Sequence, residues 1–369
     1  MLPAFPCFRN NTVEVTNLRR LFFFFAWVLL LEWCWADDQL IGGPYVVNVR
    51  QRSATIGWVL QSSEVKLFAD IGGGQPLVAP VLRSQRVTYS DLVPGKAYTY
   101  ETLGAKGSFR TAPAGAATFQ FVVFGDTRTR HDIHQRIVRA IVKAAPEFVI
   151  HTGDLVTDGH DSAQWPIFFS IEKELLARAA FYPVLGNHER NDSRFYEFFD
   201  VQTPYYSFDW GEAHFTALDS DVGSVALSAE ARQLFWAEQT RWLEDDLKKS
   251  QAAAMRFVVF HHPPFTAVKR RQNEKPLTLE LVPLFERYKV TAVFAGHDHN
   301  YQRHQKNGIQ YVVTGGGGAP LYDVDSPIPN VTVKVDRTEN YVIVKVAGEH
   351  ARMEAVALDG HLIDSVQLK

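Results

Sequence analysis

Five times along its 369 residues the chain runs through a short apolar stretch and then switches abruptly to Gly, Asp, Asn or His. Residues 119–124 lead into Gly125-Asp126, 147–150 into His151-Thr152-Gly153-Asp154, and 181–185 into Gly186-Asn187-His188-Glu189. Residues 256–260 lead into His261-His262-Pro263-Pro264, and 290–295 into Gly296-His297-Asp298-His299. Such runs predict buried strands, and an α/β domain is the architecture that gathers several strand ends at one edge. Alternate residues of an extended chain point the same way, so His297 and His299 share a face. Carboxylate, amide and imidazole groups are what divalent metals bind, and the glycines before them permit sharp turns. Taken singly, an Asp after a strand reads equally well as a helix cap; five in sequence point to a shared centre.

In this order the motifs resemble the calcineurin-like metallophosphoesterase superfamily. Asn300-Tyr301-Gln302-Arg303 after His299, with a β-rich segment in front, makes the chain most similar to the purple acid phosphatase branch, over roughly residues 40–350. The resemblance implies two mixed sheets flanked by helices and two metal ions, divalent or trivalent (Fe, Zn or Mn). It also implies phosphate-ester hydrolysis by a metal-activated hydroxide. By motif position Asp126 and His299 would hold the first ion, Asn187, His261 and His297 the second, and Asp154 would bridge them. His188 would give a proton or hydrogen bond to the leaving oxygen. Arg128, His262 and Arg303 are candidates for substrate contact or for supporting the ligands, each also readable as a structural side chain.

Two positions depart from the pattern. Where purple acid phosphatases carry a tyrosine ligand, three residues after the bridging aspartate, this chain has Thr157; where other branches carry a histidine two residues after the first aspartate, it has Arg128. Both usual extra ligands of the first ion are absent, with Asp158 and His134 as candidate substitutes. Arg128 is also suited to gripping a phosphate through two N–H groups. Gly315-Gly316-Gly317-Gly318 lacks P-loop spacing and reads as a flexible turn near the cleft.

Before the motifs, residues 40–112 read as strands at 45–50, 54–59, 65–69, 86–90, 98–102 and 108–111, separated by turn residues such as those at 72–74. This predicts an all-β sandwich, similar around 92–100 to fibronectin type III domains, with Trp58 in its core. Residues 113–118 read as a linker and 119–369 as the α/β domain. Helices are predicted at 133–144, at 229–249 with Leu234, Trp242 and Leu247 near one face, and at 277–288.

Residues 1–36 read as a signal peptide: Arg19-Arg20, an apolar stretch at 21–31, then Ala36 before Asp37-Asp38. Its cleavage would leave a secreted, periplasmic or cell-surface protein with no stable membrane span; retention would anchor the chain to a membrane. Both cysteines, Cys7 and Cys34, lie there, so no disulfide is expected in the mature chain. The leader carries Arg9, Arg19 and Arg20 against Glu14 and Glu32, so its loss takes the net charge from −3 to −4. No basic patch suits nucleic acid. The expected partner is a phosphate ester, cleaved by an acid phosphatase-like enzyme. A diesterase acting on cyclic nucleotides or lipid headgroups, and a surface-binding protein with a degenerate metal site, are the alternatives.

Overall fold

The apolar runs are strands covered on both faces, which is why they show no alternation. A computed structural model describes residues 38–67, 77–102, 104–225, 228–273 and 276–369. The expected signal peptide, both cysteines and the turn at 72–74 lie outside the described residues.

The N-terminal domain consists of antiparallel sheets. Strands β1 (Gln39–Val47), β2 (Ala54–Leu67) and β3 (Leu77–Tyr89) pair in that order, and β4 (Ala97–Thr102) pairs with β5 (Ala105–Arg110). The two strands expected at 54–59 and 65–69 are one, with an irregularity between Ser62 and Val65. Trp58 is only half-buried. Tyr45 takes the interior place instead: fully buried, it stacks on Phe169 at 5.4 Å and its hydroxyl donates to Phe198 O at 2.5 Å. Since Phe169 and Phe198 belong to the following domain, β1 is welded to it.

Two sheets face each other in that second domain. One has the order β18-β17-β16-β6-β7-β8, the strands being β6 (Thr118–Phe124), β7 (Phe148–His151), β8 (Ala180–Pro183), β16 (Asn340–Ala347), β17 (His350–Ala357) and β18 (Leu362–Gln367). The other has the order β15-β13-β14-β12-β11-β10-β9. Its strands are β9 (Tyr206–Trp210), β10 (Ala213–Ala217), β11 (Met255–Val259), β12 (Ala292–Ala295), β13 (Tyr301–Lys306), β14 (Ile309–Thr314) and β15 (Thr332–Asp336). Phe121 of β6 meets Phe215 and Phe257 of the facing sheet edge-on at 5.2 and 5.5 Å, so the core lies between the sheets.

Helices α1 (His131–Ala144), α2 (Gln164–Leu176) and α3 (Ser193–Phe199) supply apolar side chains to the outer face of the first sheet. After the short α4 (Val222–Val225), α5 (Ala229–Lys249) and α6 (Val282–Arg287) cover the second. In α1, Ile133, Ile137 and Ile141 recur at helical spacing and are buried. Helix α5 has the expected limits, and Leu247 is buried as expected, but Leu234 is 72% exposed and Trp236 and Leu243 are buried instead. The helix expected at 277–288 starts as a 3₁₀ turn, Leu277–Leu281, and becomes α-helical where Pro283 occupies its first turn.

The central strands β6, β7 and β8 run parallel, as do β10, β11 and β12. Their carboxyl ends, where the polar motifs begin, therefore lie together.

Candidate metal centre

Asp126 follows β6, Asp154 follows β7, Asn187 and His188 follow β8, His261 and His262 follow β11, and His297 and His299 follow β12. Three of these turns are left-handed: φ is 57° at Asp126, 59° at Asp154 and 67° at His297. Such values are costly for residues with a Cβ and cluster at functional sites. Neighbouring glycines make room for them. A Cβ on Gly186 would lie 2.3 Å from Asp154 Oδ1, and one on Gly315 would lie 2.3 Å from Asp298 O. The run 315–318 is accordingly a buried backbone layer rather than a flexible turn, with Gly317 N donating to Gly125 O at 3.0 Å and Ala319 N to Asp126 O at 2.8 Å.

Asn187 Oδ1, His261 Nε2 and His297 Nδ1 converge, at 3.1, 3.0 and 3.2 Å from one another. His261 Nδ1 donates to Thr152 O at 2.8 Å, which leaves its Nε2 as a lone pair. Asp154 Oδ1 lies 3.4 Å from the same Nε2. Lone pairs brought this close repel unless a cation lies among them, and the spacing is that of ligands each about 2 Å from one ion. Burial, reinforced by His262 and His261, drives the His297 pKa far below its usual range, keeping the ring neutral.

Asp126, Asp154 and His299 form the second group. His299 Nδ1 donates to Pro320 O at 2.7 Å, and its Nε2 is 3.5 Å from Asp126 Oδ1. Burial lowers His299 to about 3. Burial and the Asp154 charge raise Asp126 well above the carboxylate range. Burial acts on Asp154 the same way, but His261, His188 and Arg128 outweigh it and hold that carboxyl down. Arg128 Nε donates to Asp154 Oδ2 at 3.2 Å, so a guanidinium neighbours the carboxylate common to both groups.

His188 Nδ1 bonds the carbonyl of Thr157 at 2.6 Å, and its Nε2 lies 3.9 Å from Asp154 Oδ2. Thr157 thus orients His188 through its backbone. His262 packs on His297 with ring centroids 4.2 Å apart, its Nδ1 2.9 Å from Ser220 Oγ, and it joins His261 and His297 as a third clustered imidazole.

Three candidates lie elsewhere. Arg303 Nε and Nη2 bind Asp364 on β18, because Tyr301 and Arg303 share the strand face turned toward that carboxylate. His134 is buried against Glu172 at 2.7 Å, and Asp158 pairs with Arg190 at 3.1 Å; neither belongs to the Asp126-Asp154-His299 group expected to hold the first ion. Two residues not expected from sequence matter. The buried Glu189 carboxylate accepts from the amides of Asp154, Leu155 and Gly186 at 2.9, 2.8 and 2.7 Å, clamping one ligand loop to the next. Asp298 accepts from Thr266 Oγ1 and from Gln302 Nε2 and lies 3.0 Å from Arg271 Nε. Glu189 directly follows Asn187-His188, the only local signal for it.

Residues 119–301 match the family described as calcineurin-like phosphoesterase. Purple acid phosphatase 5 of Arabidopsis thaliana is 24% identical over 218 residues, 57% of this chain and 51% of the relative. Acid phosphatase type 7 of Mus musculus is 26% identical over 300 residues, 67% of this chain and 66% of the relative. The chain thus spans between half and two thirds of these relatives. A purple acid phosphatase from yellow lupin (Lupinus luteus) seeds shares the fold at a TM-score of 0.68 and 17% identity, covering 88% of this chain and 73% of that one.

Proposed function

We propose that this chain, which carries a calcineurin-like phosphoesterase domain over residues 119–301, is an exported phosphoesterase that hydrolyses phosphate esters with two metal ions. The observation that carries the reading is the pair of ligand groups, the partly buried Asn187-His261-His297 and the buried Asp126-His299, with Asp154 within reach of both. The donors fit such ions: neutral imidazoles, a neutral amide oxygen and two carboxylates, with His261 and His299 oriented through their far nitrogens. When bound, the ions supply Lewis acidity and lower the pKa of coordinated water.

The chain's own groups do the rest. Asp154 balances charge between the two groups. Thr157 O holds His188 by Nδ1, making Nε2 the atom that hands a proton to the departing oxygen. Glu189 keeps the Asp154 and Asn187 loops in register through its backbone bonds.

Metal analysis together with turnover of p-nitrophenyl phosphate and bis(p-nitrophenyl) phosphate tests this reading. Asn187→Ala should lose an ion, and His188→Ala should retain both ions while losing at least a hundredfold in kcat, within the usual range for a general acid. Unchanged rates in both variants would show the assignment to be wrong. The relative rates on the two esters separate a monoesterase from a diesterase. Arg128 beside Asp154 favours one further reading, a surface-binding protein whose first site has decayed; ion-dependent turnover decides against it.

We also propose export by cleavage after Ala36, on the strength of the basic flank and apolar core before it, and a fibronectin type III-like character for the N-terminal domain. Sequencing the N-terminus of the secreted chain tests the first. Among the described residues, no helix is long and apolar enough to cross a membrane.

A further inference from the structure

The turn Lys269–Arg271 stands between two openings beside the ligand groups. On one side, Arg270 lies over the ring of Tyr322 at 3.9 Å, and Tyr322 in turn packs at a tilt against His299; that cleft is lined by Lys269, Asp323 and Asp325. On the other side is a cavity of about 540 Å³ that starts at His262 and His297. Its character is different. Pro264, Phe265, Leu279 and Ile328 line it; of its polar side chains, Gln272 and Ser326 bond each other, Thr266 bonds Asp298, and Arg271 lies against His297 Nε2 and 3.0 Å from Asp298 Oδ1.

We propose that this cavity receives the organic group of the phosphate ester, and that it selects an apolar, ring-sized alcohol over a polar one. The inference rests on the phosphoesterase reading and gives it a substrate class. A phosphoryl group held among Asn187, His261 and His297 carries its ester oxygen away from those ligands, and the cavity opens directly from one of them, His297, and from the adjoining His262. The volume falls within the range of small-molecule sites, where apolar walls supply affinity and a few polar groups fix orientation. A glycerol-like alcohol would lose water there while Gln272, Ser326 and Thr266 already bond within the protein; a benzyl or naphthyl group loses nothing it needs. Proline backbones at 263–264 and 327–329 offer few N–H groups to a polar ligand and stiffen the walls.

Benzyl phosphate and glycerol 1-phosphate are both esters of primary alcohols, so their comparison isolates recognition from intrinsic reactivity. With the metal-loaded chain, kcat/KM for benzyl phosphate should exceed that for glycerol 1-phosphate by about tenfold or more, the scale of apolar pocket discrimination. Leu279→Asp, at a position already 39% exposed and thus tolerant of change, should bring the ratio close to one. Leu279→Trp, which fills the cavity, should reduce the ratio while conserving polarity. Independently of turnover, 1-naphthol should bind the metal-free chain, read by its fluorescence, and Leu279→Asp should weaken that binding at least tenfold. Turnover of both esters at similar rates, with 1-naphthol binding absent or unaffected by Leu279→Asp, overturns the cavity assignment and leaves the phosphoesterase reading standing. Absence of turnover with either ester, despite bound metal and 1-naphthol binding, overturns the reading on which it rests.

Discussion

Replacing Arg128 by Gln should convert a weak first metal site into a tight one. Arg128 Nε lies 3.2 Å from Asp154 Oδ2, and an ion bound to that oxygen at about 2 Å would sit roughly 5 Å from the guanidinium. With an effective dielectric constant of about 20, each positive charge on the ion is opposed there by about 3 kcal/mol. The two side chains are 14% and 1% exposed, so water screens the repulsion only in part. Half of the value expected for a divalent ion still leaves about 3 kcal/mol, or roughly a hundredfold in affinity. Titrating Zn²⁺ or Mn²⁺ into the metal-free chain by calorimetry, with the ion content of dialysed samples measured in parallel, reads this directly. The wild type should take one ion tightly and a second about a hundredfold more weakly. Arg128→Gln should take two tightly, and Arg128→Lys should resemble the wild type. Two equally tight ions in the wild type, or an unchanged second constant in Arg128→Gln, would refute the electrostatic argument. If the guanidinium also grips the substrate, KM for a monoester rises in Arg128→Gln while the ion content rises.

Arg303→Ala should cost about 3 kcal/mol in urea unfolding, since it strands the Asp364 carboxylate, and leave kcat/KM unchanged because Arg303 faces β18. Iron-loaded protein should show no intense visible charge-transfer band: Thr157 stands at the tyrosine position, and Tyr322 meets His299 with its ring, centroids 4.0 Å apart. His214 sits between Asp209 at 2.7 Å and Asp246 at 2.9 Å, which overcome the downward pull of burial and raise it to about 9. A folded pKa above the unfolded value of about 6.5 means its stabilisation is complete below that pH and disappears as pH rises through 9. Wild type should therefore exceed His214→Gln by up to about 3 kcal/mol at pH 6, less to the extent that the exposed Asp209 is screened. The gap should shrink by pH 10, and a gap independent of pH would contradict the assignment.

Where sequence reasoning failed, the missing information was mostly which face of an element meets which neighbour. Arg303 follows a ligand motif closely, yet strand alternation sends it with Tyr301 to Asp364 while Gln302 turns back to Asp298. Helical spacing places Leu234 with Trp242 and Leu247; Leu247 is buried and Trp242 partly so, but Trp236 and Leu243 rather than Leu234 complete the inner face. Helix α2 was not anticipated: Ala163 provides no side-chain cap, and the apolar residues Trp165, Phe168, Phe169, Leu175 and Leu176 blur any polar face because β1 packs on it as well as the sheet. Glu189 binds amides some 35 residues earlier in the chain, a pairing no local pattern encodes.

What the chain determines locally is the chemistry at each strand end: an apolar run fixes a buried strand, a glycine fixes the turn, and the residue after it supplies the donor. Asp126, Asp154, Asn187 and His297 each follow a glycine in this way, and the resemblance of the ordered motifs to the family joins His261 and His299 to them. Tertiary structure alone decides how those donors are spent. The 3.0–3.2 Å convergence of Asn187, His261 and His297, the guanidinium on Asp154, and the apolar cavity opening from His262 and His297 all depend on loops from separate strands meeting in space. Distances between such loops are set by the packing of two sheets against each other, and the sequence of any one loop carries no record of them.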